Sequence, residues 1–105
     1  MLTEKDYCDF KTIRELEMLG MNVYTSFCGV EVLKHLSLYE AQKWLREEKG
    51  ILLYPEKNSI GWFYTTHYNI GKVHRFKYSE EYYDSYEEAL LKGIKEAVKL
   101  LKEEK

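Results

Sequence analysis

Cys8, Cys28, His67 and His74 are of the types that zinc prefers. Structural zinc sites take ligands in close pairs two to five residues apart, and the spacing of these four matches no such motif. No metal and no cofactor is therefore expected. The thiols read as small buried side chains and the histidines as surface or hairpin residues. Cys28 beside Gly29 can be drawn as a nucleophile with a distant His67 as its base. Nothing supports that drawing. The sequence has no glycine-rich phosphate loop, no Gly-x-Ser-x-Gly elbow and no pair of helical histidines. Its carboxylates crowd the first turns of helices, where capping accounts for them. The expectation is a protein that is not an enzyme.

Trp62, Tyr64, Arg75 and Lys77 carry a different chemistry. Aromatics interleaved with cations can stack bases and hold a single strand of nucleic acid. From His67 to Tyr78 the only charged side chains are Lys72, Arg75 and Lys77. The competing reading is cross-strand aromatic pairing and cation–π packing within the domain. The net charge of -2 and the nearby acids Glu80, Glu81 and Asp84 weigh against nucleic acid. These four residues are the candidate binding set, with nucleic acid as the less favoured partner. The run from Glu80 to Glu88 can be read as an acidic, tyrosine-rich docking patch, but helix capping explains it better.

The elements that must position these residues follow from composition and pattern. A chain of 105 residues suits one domain, 1–105, with 45% hydrophobic and 32% charged side chains. The first ten residues include Glu4, Asp6 and Asp9 and do not read as a signal peptide. The run Ile51 to Tyr54 is far too short to span a bilayer. Two cysteines do not make a disulfide scaffold. The expected setting is the cytoplasm, with no membrane partner.

Asp9 reads as the N-cap of a first helix, Phe10 to Leu19, with Phe10, Ile13 and Leu16 on one side and Gly20 as its stop. Residues 22–27 and 30–33 around Cys28-Gly29 suggest a short hairpin, an optional element. Ser37 with Glu40 forms a capping box for a second helix, whose stripe is Ala41, Trp44 and Leu45. Three strands follow, Ile51–Tyr54, Ile60–Thr66 and Lys72–Tyr78, with turns at 56–59 and 68–71. Connections this short favour an antiparallel meander, and Pro55 belongs at a strand end or edge. The last helix runs from Asp84 to about Leu101. Asp84 with Glu87 and Ser85 with Glu88 offer two overlapping capping boxes.

The fold class is thus α+β in the order α-(ββ)-α-β-β-β-α. With the turns so centred, one sheet face carries Ile51, Leu53, Trp62, Tyr64, Thr66, Val73, Arg75 and Lys77, and the other Leu52, Tyr54, Phe63, Thr65, His74, Phe76 and Tyr78. Neither face is plainly polar, so both are covered or one is a binding surface. The second and third helices are expected on one face. The first helix with its hairpin, or a second copy of the chain, is expected on the other. Gly93 lies inside the apolar stripe of the last helix, which suggests close approach of a strand. The face opposite that helix is where function should be sought, and which face that is stays open.

Tyr39 to Glu47 and Tyr83 to Ala89 carry a further signal. The first reads as an A-x-x-W-L-R-E helix and the second as a Y-x-x-Y-E-E-A terminal helix. Together they resemble a family of short uncharacterised proteins of gut anaerobic bacteria and their prophages. The resemblance implies the same element order and a mobile-element origin, and it implies no activity and no functional residues. The expectation overall is a small binding or interaction module, with homodimerisation through a sheet face as one form and a nucleic-acid-binding accessory protein as the alternative.

Overall fold

A computed structural model describes residues 6–28 and 31–103, and for 24–28 and 31–35 the backbone pairing alone. The chain is an α+β domain. Its elements are α1 (Phe10–Met18), β1 (Tyr24–Cys28), β2 (Glu31–His35), α2 (Leu38–Glu48), β3 (Leu52–Lys57), β4 (Trp62–Ile70), β5 (Val73–Tyr78) and α3 (Tyr86–Glu103). The hairpin β1-β2 is a separate two-stranded sheet that pairs Cys28 with Glu31. Cys28 is the last residue of β1, and residue 29 of the expected Cys28-Gly29 turn lies outside the described residues. Strands β3, β4 and β5 form the antiparallel meander in that order.

Local chemistry explains most boundaries. At α2, Ser37 Oγ accepts from the Glu40 N–H while Glu40 Oε1 accepts from the Ser37 N–H, closing the capping box. At α3 only one of the two candidate caps is used. Ser85 Oγ accepts from the Glu88 N–H at 3.1 Å, and Asp84 lies before the cap. Asp9 precedes α1, but its carboxylate accepts from the Thr12 hydroxyl and not from a helix N–H. The buried stripe of α1 is Thr12, Ile13 and Leu16, whereas Phe10 is exposed.

The β4-β5 turn is tighter than the 68–71 expectation. Ile70 pairs with Val73, so Tyr68 to Ile70 belong to β4 and the loop is Gly71-Lys72 alone. Gly71 has φ 60°, which a two-residue hairpin loop requires and glycine adopts without steric cost. The β3-β4 loop is held by Asn58, whose Oδ1 accepts from the N–H groups of Ile60 and Gly61.

One core joins the helices to one face of the meander. Ile13, Leu16, Leu38, Leu45, Leu53 and Ile94 are all at most 3% exposed within it. Helix α3 lies across β3 and β4, α2 packs against α3 and β3, and α1 packs against α3. So α1 joins the same side as the other helices and does not cover the second face. Gln42 on α2 donates from Nε2 to the Leu53 carbonyl at 2.8 Å, which ties α2 to the outer edge of β3. Beyond β5, Tyr83 exchanges two backbone hydrogen bonds with Trp62 and so adds a bridge at the far end of β4.

Candidate binding surface

Strand geometry sends alternate side chains to opposite faces. The register Leu53↔Thr66↔Lys77 and Pro55↔Tyr64 puts Trp62, Tyr64, Arg75 and Lys77 on the face that α3 covers. Tyr64 is only 8% exposed. A Cβ at Gly93 would stand 3.2 Å from its Cγ, so helix and sheet touch there. Burial first, and then the carboxylate of Glu96, push the Tyr64 phenol up to about 12. Trp62 is half-buried, edge-on to Tyr86 with ring centres 5.6 Å apart, and Lys57 Nζ sits 5.7 Å above its ring. Lys77 is 3.5 Å from Glu96, and Arg75 is exposed on β5. The four residues share a face but not a surface: the two aromatics pack inward and the two cations lie on the flanking strand.

Tyr64 and Lys77 meet at one further place, a polar cleft of about 300 Å³ that also includes Glu80, Glu81, Glu96 and Lys99. A shallower hollow surrounds Trp44, but two of its three acids are already engaged. Glu40 caps α2 and Glu47 pairs with Lys43 and Arg46. The Cys8 thiol is not brought to His67 or His74. Cys8 is buried, its Sγ 4.0 Å from the Ser37 carbonyl, and burial with the nearby Asp9 and Glu40 raises its thiol to about 12. That thiol is therefore a poor nucleophile near neutrality. The Cys28 side chain lies outside the described residues. Among those residues, no group of three or more His, Cys, Asp or Glu could hold a metal.

Among the described residues, the other face carries no helix. Its rungs are Leu52–His67–Phe76 and Tyr54–Thr65–Tyr78, extended by Phe63 and His74. Leu52 is 41% exposed, Phe76 58%, Tyr78 56% and the adjacent Tyr82 47%. The rings touch in series. His67 stacks between Tyr54 (5.8 Å) and Phe76 (6.0 Å), Phe76 meets Tyr78 edge-on (5.7 Å), and Phe63 meets Tyr78 and Tyr82. Under them Thr65 is buried and donates its hydroxyl proton to Glu56 Oε1 at 3.0 Å. Tyr54 Oη lies 3.2 Å from His67 Nε2, and His67 Nδ1 lies 3.1 Å from His74 Nε2. Partial burial and the Glu56 carboxylate raise the Tyr54 phenol, which keeps it protonated near neutrality. Glu56 is the one carboxylate among these side chains, and neither Lys nor Arg belongs to the rungs.

No family model matches the chain, and neither a curated protein nor a solved structure matches it. The surface has to be read from its own geometry. The sequence pattern sorted these residues onto one face correctly but nominated the other four. The available signal was the small-residue stripe Ala89, Gly93 and Ala97. Such a stripe needs large side chains opposite it, and Leu53 and Tyr64 supply them.

Proposed function

We propose that the protein is a non-enzymatic binding module and that the open sheet face is its working surface. The observation that carries this reading is the row of exposed, mutually touching rings on a face that no helix covers. Contiguous apolar patches on a soluble domain mark sites of association. Charge selects the kind of partner. Nucleic-acid binding needs cations among the stacking rings, and here Arg75 and Lys77 lie on the opposite face. An apolar protein surface fits better.

Size narrows the partner further. Three strands about 4.8 Å apart and six residues long give a footprint of about 300 Å². Each side of a standard stable complex buries about 800 Å². Self-association through this face alone is therefore weak. An α-helix is about 10–12 Å across, so one amphipathic helix of a partner protein covers the footprint. On the opposite face α3 already covers two strands in this way. A docked helix would complete a three-layer arrangement.

A photo-crosslinking residue at position 76, compared with one at the exposed position 92 of α3, tests this in a lysate of the source organism. The expected result is a protein adduct from position 76 alone, mapped to a helical segment of the partner and lost in Tyr78→Ser. Equal adducts from both positions would sink the proposal. Adducts only to a second copy, or only to nucleic acid, would replace the helix with that partner. The origin among gut anaerobes and their prophages remains part of the proposal on the strength of the two motif helices, and the genes flanking the coding sequence test it.

A further inference from the structure

The geometry points to a divalent transition-metal site formed by His67 Nδ1 and His74 Nε2 on the open sheet face. The two residues lie on neighbouring strands. His74 pairs with Asn69, two residues along β4 from His67, so the imidazoles are diagonal neighbours. Their facing nitrogens are 3.1 Å apart. An ion about 2.05 Å from each, an ordinary metal–imidazole distance, would subtend an angle of about 100°. That value lies between octahedral and tetrahedral coordination. No rearrangement of the sheet is needed to bring the donors together.

A second observation supports the site. A histidine that binds metal through one nitrogen usually donates the other N–H to a fixed acceptor, which sets its tautomer and orientation. Tyr54 Oη stands 3.2 Å from His67 Nε2 and can accept that hydrogen bond. The His67 ring is further held between Tyr54 and Phe76. With the proton on Nε2, the Nδ1 lone pair faces His74. With its own proton on Nδ1, His74 turns the Nε2 lone pair to the same point. Metal binding replaces the His67–His74 hydrogen bond by a tautomer shift, and no net proton is lost from two neutral rings.

Two imidazoles and no acid suit Cu²⁺, Ni²⁺ and Zn²⁺, with Cu²⁺ the tightest of the three. Solvent completes the coordination, so the ion is exchangeable. The site is distinct from helix docking, because Phe76→Ala removes part of the docking surface and neither metal donor.

Calorimetric titration of the full chain with CuCl₂ and NiCl₂ at neutral pH tests this, together with the electron paramagnetic resonance spectrum of the Cu²⁺ form. The expected result is one equivalent bound, with two nitrogen couplings. His67→Ala and His74→Ala should each weaken binding on the order of a hundredfold, because either change removes the chelate. Tyr54→Phe should weaken it about tenfold through the lost acceptor. His35→Ala should bind like the unaltered chain. Circular dichroism checks that each variant is folded. Undiminished binding in either His67→Ala or His74→Ala, or a spectrum with a single nitrogen, would overturn the site.

Discussion

Replacing Gly93 measures how closely α3 approaches the sheet. A Cβ at that position would stand 3.1 Å from Leu53 Cδ1, 3.2 Å from Tyr64 Cγ and 3.4 Å from Tyr64 Cβ. Two effects then oppose each other. Alanine is favoured over glycine inside a helix by about 1 kcal/mol. Overpacking a filled core costs about 1–3 kcal/mol. The contacting atoms decide which wins. Leu53 Cδ1 ends a flexible chain and can shift. Tyr64 Cγ is the root of a ring stacked on Tyr83 at 6.2 Å, and it cannot move without the ring. Overpacking should therefore prevail, and Gly93→Ala should lose about 1 kcal/mol, or about 4–8 °C in a domain of this size. Gly93→Leu should lose about 3 kcal/mol or more, since three further carbons meet the same wall. Urea unfolding of both variants is the assay, with Lys92→Ala against Lys92→Gly reporting the propensity difference alone. A double-mutant cycle with Leu53→Ala adds a sign. The cavity left by Leu53 should relieve Gly93→Leu by at least about 1 kcal/mol. If Gly93→Ala instead stabilised the protein by the full propensity difference, the close approach would be refuted.

Four further outcomes follow from the same structure. Ser85→Ala should cost about 1 kcal/mol of stability and Asp84→Ala almost none, because Ser85 alone accepts from the Glu88 N–H; equal thermal shifts would refute this. Thr66→Val should stabilise by about 1 kcal/mol in denaturant titration, because Thr66 Oγ1 is the one buried side-chain polar atom without a partner among the described residues. The Cys8 thiol is raised from 9.0 to about 12, so the unfolded chain loses its proton first and stability should fall above about pH 9 by up to about 1.4 kcal/mol per pH unit. Unfolding midpoints should show that slope between about pH 9 and 10 and show it flattened in Cys8→Ala. Phe76→Ala should change stability by less than about 1 kcal/mol whereas Leu53→Ala costs about 2–5 kcal/mol, since one side chain is 58% exposed and the other is fully buried.

Features written in local chemistry were legible in the sequence. The Ser37-x-x-Glu40 box, the periodic stripe of α3 and the period-two sorting of the sheet depend on neighbours a few residues apart, and all three hold. Gly93 was legible for the same reason, as a small residue in a wide apolar stripe. Features decided by tertiary competition were not. Phe10 has the right spacing for the α1 stripe, yet it is exposed and Thr12 is buried where α1 packs against α3. The longer β4 escaped notice because Tyr68-Asn69-Ile70-Gly71 contains turn-prone residues, while the true loop needs only Gly71 and Lys72. Nor could composition say which aromatic face the helices would take. Both faces are rich in rings, and only the match between Gly93 and the Leu53–Tyr64 pair decides it. The contact between His67 and His74 joins two strands diagonally, and no local motif marks it.

The two rims of the meander differ in how they resist growth. On β3, Pro55 offers no N–H, and Gln42 already occupies the Leu53 carbonyl. On β5, Arg75 and Lys77, with Lys72 in the loop just before it, place like charges where a second copy's β5 would have to lie alongside. Neither rim is a template for cross-β stacking, despite a strand as apolar and as exposed as β5. Concentrated solutions of the protein should stay free of fibrils. Pro55→Val combined with Arg75→Val would remove a guard from each rim, and fibril formation should then begin there.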